Sequence, residues 1–285
     1  MLASAIRNIS KEFDAEFIFC GKAELDITTL ELTQAYLEIN RPDVIINCAA
    51  YTNVEGAELN TKTAYDINTL GAANIARAVS SINARLIHIS TDAVYDGSKK
   101  GVYYEGDSCN PLSAYSKSKY AGEQEVVKHS KSAIILRTSW LYSLDKPNFV
   151  TAIINKARTT GSLNVVYDQL GTPTYTYDLA ATILQIIKSG EILTVPGTDI
   201  YHYSNEGAIS WYDFAVNICR ILDIDAKITP VTSDEYNSKV QRPFHAIMSK
   251  TKIKKELCVE IPYWLDSLTT CLLNKNDTRY NPVKE

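Results

Sequence analysis

The sequence predicts an α/β protein: a doubly wound, parallel-sheet Rossmann-type domain with a smaller α/β lobe. Three observations indicate this fold. Short apolar runs alternate with helix-length amphipathic segments through the first half of the chain. The runs at 44–48 and 133–138 are rich in Val, Ile and Leu without alternation, as in parallel strands buried on both faces. Several runs end in polar or small residues, which is where a doubly wound sheet binds ligands.

The apolar runs and the segments between them define the elements in chain order. The predicted strands are residues 16–19, 44–48, 86–90 and 133–138. The predicted helices of this half are residues 28–40, 61–82 and 114–129, the first with Asp26 as its cap. After about residue 146, predicted helices at 148–159, 178–189 and 211–222 are separated by loops marked by Gly and Pro. This change of character predicts the second, smaller lobe.

Composition argues against several classes of partner. The 285-residue chain is 45% hydrophobic with a net charge of -4, and it has no dense run of Lys or Arg for nucleic acid. No apolar stretch approaches the roughly 20 residues that cross a bilayer, and the N-terminus does not resemble a secretory signal. We therefore expect a cytoplasmic protein without a membrane partner. The six cysteines form no C-x-x-C pair, which favours a reducing compartment.

A tyrosine followed by a lysine one helical turn later is a candidate acid for reducing a ketone. The phenol has an ordinary pKa of about 10, and a cation on the same helix face eases the release of its proton. This spacing occurs four times in the sequence. Gly97 and Pro282 interrupt the matches that begin at Tyr95 and Tyr280, and the match at Tyr142 runs into Pro147. Tyr115 and Lys119, in contrast, lie in a predicted helix. Spacing alone also fits an exposed, Lys-rich helix start.

A threonine upstream supports a role for this pair. Ser90, Thr91 and Asp92 end a buried predicted strand, from where a hydroxyl can reach both the Tyr115 oxygen and a substrate carbonyl. The alternative for Thr91 is a strand-terminal cap. Trp140 follows the next strand, and its alternative role is core packing.

These residues belong to a longer ordered set of motifs. The set comprises Asn47-Cys48-Ala49-Ala50-Tyr51-Thr52, Asn68, Ser90-Thr91-Asp92-Ala93-Val94-Tyr95-Asp96-Gly97, Tyr115 to Lys119 with Ala121-Gly122-Glu123, Arg137-Thr138-Ser139-Trp140-Leu141-Tyr142, Asp168-Gln169-Leu170-Gly171-Thr172-Pro173-Thr174, and Arg242-Pro243. In this order it resembles the signature of the dTDP-4-dehydrorhamnose reductases, which belong to the extended short-chain dehydrogenase/reductase superfamily. The resemblance spans nearly the whole chain.

The resemblance implies NADPH-dependent reduction of the C4 ketone of dTDP-4-dehydro-6-deoxy-L-mannose (dTDP-4-dehydrorhamnose) to dTDP-L-rhamnose, for surface polysaccharide such as O antigen. It implies that Tyr115 is the proton donor, that Lys119 holds the nicotinamide ribose and lowers the tyrosine pKa, and that Thr91 tunes this acid. It also implies cofactor contacts from Asp26, Ile27, Ala49, Ala50, Tyr51 and Thr52, and contacts to the dTDP-sugar from Thr91, Asp92 and Trp140. We divide the chain into a dinucleotide-binding domain (1–146), a mainly substrate-binding lobe (147–275) and a tail (276–285).

The sequence departs from the dinucleotide-binding pattern at its start. Such a fold begins with a strand and a Gly-x-x-Gly-x-x-Gly turn, whereas Met1, Leu2 and Ala3 resemble only the end of that turn. Either the sequence is clipped or the natural protein lacks this strand and turn. We favour clipping, because a missing central strand leaves neighbouring strand edges unpaired. The predicted second strand ends before Gly21 and Lys22, without the acidic residue that selects NAD. We therefore expect NADP as the cofactor, with NAD as the alternative.

Two other functions stay open. One branch of the family resembles a non-catalytic regulatory partner of methionine adenosyltransferase, but Thr91, Tyr115 and Lys119 are all present and argue against that reading. An epimerase or dehydratase of the superfamily would use the same Tyr and Lys, but dehydratases carry an acidic pair after the threonine, and here Ala93 follows Asp92. No His, Asp and Glu cluster assigns a Mg²⁺ site, and a homodimer is compatible with the sequence.

Overall fold

The computed structural model describes residues 1–190, 197–238 and 240–273. Its strands are β1 (Val44–Asn47), β2 (Arg85–Thr91), β3 (Ser132–Thr138), β4 (Leu141–Tyr142), β5 (Ser162–Val166), β6 (Leu170–Gly171), β7 (Thr174–Tyr175), β8 (Gly197–Tyr203), β9 (Ile209–Ser210) and β10 (Lys227–Val231). Its helices are α1 (Leu2–Ile9), α2 (Leu30–Asn40), α3 (Val54–Leu59), α4 (Thr61–Tyr65), α5 (Gly71–Ser81), α6 (Ala114–His129), α7 (Phe149–Thr160), α8 (Thr176–Lys188), α9 (Trp211–Ile221), α10 (Ser233–Tyr236), α11 (Thr251–Glu256) and α12 (Trp264–Leu273).

The main sheet is parallel and covered by helices on both faces. Its strand order is β1-β2-β3-β8, with Leu86 opposite Ala133 and Ile134 opposite Asp199. One face packs against α1 and α8 through Ile87 and the side chains around it. The other face packs against α2, α5 and α6. This arrangement confirms the predicted doubly wound α/β class, because a sheet buried on both faces needs helices above and below it.

A second apolar core lies in the later part of the chain. It is built from side chains of β4, α7, β5, β7, β9, α9 and α12, with Phe214 and Leu268 completely buried. Three small two-stranded sheets, β5 with β10, β4 with β7 and β6 with β9, accompany it. Helix α8 and strand β8 lie later in the chain than β4 but contribute to the first core, around Leu179 and Tyr203.

Most predicted elements agree with the structure, and α6 has the predicted bounds. The predicted strand at 16–19 is wrong, because this segment forms no ladder within the described residues. Phe17 and Phe19 instead lie partly buried against the first core, which explains their apolar character. The predicted helix at 61–82 is a succession of α4, a π-helical turn over Asp66–Leu70 and α5. The predicted tail at 276–285 lies outside the described residues.

Helix α6 is held close to the π-helical turn by a glycine. A Cβ atom at Gly122 would lie 2.1 Å from the backbone oxygen of Asn68. Real Cβ atoms do not approach an oxygen so closely, so only glycine allows this packing. Asn68 also donates from its side-chain nitrogen to Ser118 Oγ at 2.9 Å, and Thr69 donates to the Ser118 carbonyl at 2.8 Å. These contacts fix the position of α6 beside the sheet.

The described helices contain none that is both long and apolar enough to cross a membrane.

Candidate active site

A cavity of about 630 Å³ opens at the carboxyl ends of β1, β2 and β3, between the first and second cores. This is the edge at which a doubly wound sheet binds its ligands. Its lining includes Met1, Leu2, Cys48, Ala50, Thr52, Ile89, Ser90, Thr91, Asp92, Tyr115, Lys119, Trp140, Phe149, Gln169, Trp211 and Arg242. The catalytic and substrate-binding residues predicted from the sequence therefore line one cavity.

Helix α6 brings Tyr115 and Lys119 to this cavity. Ser113 caps the helix, because its hydroxyl accepts from Ser116 N while the Ser116 hydroxyl accepts from Ser113 N. The cap fixes the first turn, which carries Tyr115. Lys119 lies one turn later and is 2% exposed. Its ammonium donates to the Ile89 carbonyl at 2.6 Å, next to the end of β2.

Tyr115 and Thr91 both line this cavity. Burial raises the pKa of Tyr115 to about 12, the Thr91 hydroxyl opposes this change, and the nearby Asp92 carboxylate adds to it. The structure therefore does not have the lowered tyrosine pKa expected from the sequence. The main reason is the burial of the phenol, which disfavours the phenolate.

Two further ionisable groups beside Tyr115 have shifted pKa values. Burial lowers the pKa of Lys119 to about 8, while Glu123 and Cys48 act in the opposite direction. Burial raises the pKa of Asp92 to about 7, and hydrogen bonds from Thr91 and backbone amides only partly offset this shift. Both groups can therefore change protonation near neutral pH, as acid–base sites require.

Trp140 forms part of the cavity wall. Its backbone lies in the left-handed region, with φ 46°, and its ring stacks on Trp211 with centroids 3.5 Å apart and planes 12° apart. Phe149 packs on the far ring, 4.5 Å from Trp211. A non-glycine residue with positive φ is strained, and such strain is found at ligand-binding sites. A flat aromatic wall of this kind suits a nucleotide base or a sugar face.

The residues predicted to contact the cofactor fall into two groups. Ala50 and Thr52 line the cavity, whereas Ala49 and Tyr51 do not. Tyr51 has a structural role, because its backbone N–H donates to Asn68 Oδ1 at 2.8 Å and its carbonyl accepts from Asn68 Nδ2 at 3.1 Å. Asn68 thus supports the loop after β1 from within the π-helical turn.

Asp26 and Ile27 are not among the lining residues of this cavity. The Asp26 carboxylate accepts from the backbone and hydroxyl of Thr28, and these bonds lower the pKa of Asp26. The Ile27 carbonyl accepts from Asn74 Nδ2 at 3.0 Å. Ile27 thus lies beside the first turn of α5, and Asp26 precedes it in the chain.

Sequence reasoning missed several residues around the site. Trp211, Gln169 and Arg242 line the cavity but were not assigned to it. Trp211 could have been noticed because the chain has only three tryptophans. Gln169 and Arg242 lie in motifs that carry the family resemblance, which implies that the loop at 168–174 lies near the substrate, whereas the residues of this loop alone indicate only a Gly-Pro turn.

Glu123 and Arg137 form a buried pair behind the site that sequence reasoning also missed. Arg137 is 2% exposed and Glu123 is fully buried, and Arg137 Nη2 donates to Glu123 Oε2 at 2.6 Å. Arg137 Nη1 also donates to the Tyr95 hydroxyl at 2.8 Å, and this hydroxyl is 2.8 Å from His202 Nε2. Because Glu123 lies one turn after Lys119 on α6, the pair joins the catalytic helix to β3.

The cavity has features that fit a nicotinamide dinucleotide. Met1 and Leu2 line it at the start of α1, and no side chain caps this helix. The amides of a helix's first turn have no partner within the helix and can bind an anion such as a pyrophosphate. Lys119 and Tyr115 also line the cavity, where they offer a cation and a hydroxyl. Within residues 1–190, 197–238 and 240–273, no group of His, Cys, Asp or Glu side chains is arranged to hold a metal ion.

A doubly wound parallel sheet with a tyrosine and lysine one helical turn apart, beside a threonine at the end of a strand, defines an oxidoreductase of the short-chain dehydrogenase/reductase type. Comparison with known proteins is more specific. The profile of the RmlD substrate binding domain family matches residues 1–276, and the chain belongs to this family.

Curated relatives and solved structures agree with this family. The chain is 36% identical over 252 residues to a dTDP-4-dehydrorhamnose reductase of Aggregatibacter actinomycetemcomitans, covering 86% of each chain. It is 37% identical to the spore coat polysaccharide biosynthesis protein SpsK of Bacillus subtilis, covering 83% of this chain and 81% of SpsK. A dTDP-4-dehydrorhamnose reductase structure from Clostridium acetobutylicum superposes with a TM-score of 0.90 at 37% identity, covering 95% of this chain and 94% of that one. The enzyme from Bacillus anthracis in complex with NADP superposes with a TM-score of 0.88 at 33% identity, covering 94% and 95%.

Proposed function

We propose that this chain catalyses the NADPH-dependent reduction of the C4 ketone of dTDP-4-dehydrorhamnose to dTDP-L-rhamnose, a step in dTDP-rhamnose and surface polysaccharide biosynthesis. The observation that carries the proposal is the cluster of Tyr115, Lys119 and Thr91 in one cavity at the carboxyl ends of the sheet. Family membership and relatives named dTDP-4-dehydrorhamnose reductase support the choice of substrate.

Three residues carry the chemistry in this proposal. When bound, the reduced nicotinamide supplies the hydride. Tyr115 donates its proton to the C4 oxygen, and the Thr91 hydroxyl, which lines the same cavity, would stabilise the phenolate that remains. Lys119 holds the ribose of the cofactor with its ammonium, which also places a positive charge near that phenolate. Asp92 and Trp140, which also line the cavity, bind the sugar nucleotide in this proposal.

NADP is the cofactor we propose, since the solved relative from Bacillus anthracis contains NADP. The exposed Lys22 supports this choice, because its ammonium can meet the 2'-phosphate of NADP. In the same proposal Asp26 and Ile27 border the adenine, and Ala49, Ala50, Tyr51 and Thr52 border the rest of the cofactor. Initial rates with NADPH and NADH test this choice, and a clear preference for NADH would reject it.

We also propose a division of labour between the two cores. The core around the main sheet binds the dinucleotide, and the core around α7, α9 and α12 binds the sugar nucleotide. The support for this division is that Trp140, Phe149 and Trp211 reach the cavity from the second core. A homodimer and a cytoplasmic location are hypotheses within this proposal, and the molar mass in solution tests the first of them.

The decisive experiment compares wild-type protein with Tyr115→Phe in an assay of NADPH oxidation with dTDP-4-dehydrorhamnose. We expect wild-type turnover and a fall in kcat of about 10²-fold or more in the variant, since general acid catalysis contributes at least that much. Tyr104→Phe is the matched control, because this tyrosine is exposed and lies outside the cavity. Unchanged turnover in Tyr115→Phe would show that Tyr115 is not the proton donor.

The same assay separates the alternative functions. A regulatory subunit would show no turnover with any dTDP-sugar while still folding. An epimerase or dehydratase would convert the sugar without net consumption of NADPH. The acidic pair of dehydratases is not present after Thr91, since Ala93 follows Asp92.

A further inference from the structure

Gln169 is a buried polar side chain in the cavity wall that the proposed chemistry does not use. It lies between β5 and β6, lines the cavity and is only 6% exposed. Its amide nitrogen Nε2 donates to Ser233 Oγ at 2.9 Å. Ser233 is not among the residues that line the cavity. The amide of Gln169 is therefore tied to a residue outside the cavity while its side chain forms part of the wall.

Asp168 decides which end of this amide faces Ser233. The Ser233 hydroxyl lies 2.7 Å from Asp168 Oδ1, and the Ser233 backbone N–H donates to the two carboxylate oxygens at 3.0 and 2.9 Å. A serine hydroxyl has one proton to donate, and an ionised carboxylate can only accept. The hydroxyl proton is therefore given to Asp168. The contact between Ser233 and Gln169 must then use an N–H of the amide, which fixes the amide orientation.

This orientation leaves the amide oxygen of Gln169 for a ligand. Among residues 1–190, 197–238 and 240–273, no group donates a hydrogen bond to Gln169 Oε1. A polar atom that loses water without gaining a partner is costly, so buried polar atoms are normally hydrogen bonded. An acceptor held in this way in a cavity wall indicates that a bound molecule supplies the missing donor.

The neighbours of Gln169 indicate which molecule this is. Gly171 lies two residues later, and a Cβ there would be 2.7 Å from two ring carbons of Trp140. Gln169 thus lies next to the aromatic wall that reaches the cavity from the second core. The proposed function assigns this side to the sugar nucleotide. Such a ligand carries O–H groups on its hexose and deoxyribose and an N–H on its thymine, and an amide oxygen can accept from any of these donors.

We infer that Gln169 binds the sugar nucleotide by accepting a hydrogen bond from one of its O–H or N–H groups, and that Ser233 and Asp168 are positioning residues that hold the amide in this orientation. The inference rests on the proposed function and deepens it by adding a substrate-binding residue. It also gives the cavity a means of discrimination, because a ligand without the donor leaves Oε1 buried and unpaired.

The test measures binding of dTDP-L-rhamnose, dTDP and NADPH by isothermal titration calorimetry, without turnover. Gln169→Met keeps the length of the side chain but removes the amide. We expect Kd for dTDP-L-rhamnose to rise about threefold to tenfold, as the loss of one hydrogen bond predicts, and Kd for NADPH to stay unchanged. Gln185→Met is the matched control, because this exposed glutamine lies outside the cavity and donates its amide to the Cys258 carbonyl at 3.2 Å.

Comparison of the two nucleotides locates the donor. If Kd for dTDP rises as much as Kd for dTDP-L-rhamnose in Gln169→Met, the donor is on the thymine or the deoxyribose. If only Kd for dTDP-L-rhamnose rises, the donor is a hexose hydroxyl. Both results support the inference. Wild-type affinity for both nucleotides would overturn it, and so would an equal loss of NADPH affinity.

Ser233 variants test the positioning role. Ser233→Ala should weaken binding of the same nucleotide although Ser233 does not line the cavity, whereas Ser233→Thr keeps the hydroxyl and should keep the wild-type Kd. Ser98→Ala is the matched control, because Ser98 is exposed, lies outside the cavity and donates its N–H and its hydroxyl to Asp96 in the same way. A thermal melt of each variant checks that it is folded.

The double variant separates positioning from a merely structural effect. Because Ser233 is proposed to act through the Gln169 amide, Ser233→Ala should add little to the loss of affinity in Gln169→Met. Fully additive losses would overturn the positioning role. If wild type binds neither dTDP-L-rhamnose nor dTDP, the proposed function itself fails, whereas wild-type affinity in Gln169→Met contradicts only the inference.

Discussion

Gly122 on α6 lies against the backbone carbonyl of Asn68, so close that a Cβ at Gly122 would come within 2.1 Å of this oxygen. The contact matters because α6 carries both Tyr115 and Lys119. Asn68 in turn holds the backbone of Tyr51 at the loop after β1. One glycine thus sets the distance between the catalytic helix and the loop assigned to the cofactor.

Gly122→Ala should destabilise the protein and slow catalysis. In an ordinary helix interior this change gains up to about 1 kcal/mol, but overpacking here should cost about 1–3 kcal/mol in the free energy of unfolding. Urea unfolding measures whether the variant has a lower or higher free energy of unfolding than wild type. Gly106→Ala is the control, since nothing lies within 4 Å of a Cβ there, and it should change stability by no more than about 0.5 kcal/mol. A Gly122→Ala protein as stable as wild type would show that α6 can shift.

Breaking the buried Glu123–Arg137 pair should be severe. Glu123→Gln leaves the Arg137 guanidinium buried without its carboxylate, which should cost about 3–5 kcal/mol in the free energy of unfolding. Glu125→Gln on the same helix is the control. Glu125 is partly exposed and lies 3.9 Å from Arg77 and Lys128, so its loss should cost less than about 1 kcal/mol.

A double variant tests whether the pair acts as a unit. Glu123→Gln combined with Arg137→Met removes both charges, so the double variant should be less destabilised than the sum of the single variants. Additive losses in urea unfolding would mean that the two side chains act independently.

NADPH affinity should fall at alkaline pH because of Lys119. Burial lowers the pKa of this lysine to about 8, so the ammonium is present below that pH and is lost as the pH rises through it. If only the ammonium form binds the ribose well, Kd should rise by roughly tenfold between about pH 7 and 9. Fluorescence titration measures Kd. Lys119→Met should bind weakly at every pH, whereas Lys117→Met, on an exposed position of the same helix, should keep the wild-type profile.

Gly171→Ala should weaken binding of the sugar nucleotide but not of NADPH. A Cβ at Gly171 would lie 2.7 Å from two ring carbons of Trp140, and this ring cannot retreat because Trp211 stacks on it at 3.5 Å. A misfit of about 1.4 kcal/mol would raise KM for the sugar about tenfold. Equal loss of NADPH affinity would indicate a general distortion instead of a local one at the aromatic wall.

Sequence reasoning predicted the parts of this protein that depend on local patterns. The continuous apolar runs gave β1, β2 and β3, and the Ser and Lys-rich stretch after Pro111 gave α6, since periodicity reports burial directly. The strand at 16–19 was wrong because a ladder needs a neighbour that local sequence does not reveal. Arg137 and Glu123 could not be paired from the sequence, because the contact joins a strand to a helix 14 residues away along the chain.

The residues that form the site were predicted more completely than their pKa values and contacts. Tyr115, Lys119 and Thr91 were identified from spacing and resemblance. The direction of the Tyr115 pKa shift was not predicted, because the burial that raises this pKa depends on tertiary packing. The link from Asp92 to Thr91 likewise depends on a side-chain contact that adjacency in sequence does not guarantee.

The stacked Trp140 and Trp211 rings give the protein a built-in spectroscopic label. They are two of the three tryptophans in the chain, and the third, Trp264, is buried in the second core. Indole rings with centroids 3.5 Å apart couple their electronic transitions, so the pair should produce a circular dichroism couplet that an isolated indole lacks. Any compound that binds between or beside these rings changes that couplet. Ligand binding in the cavity can therefore be followed on unmodified protein, without a turnover assay.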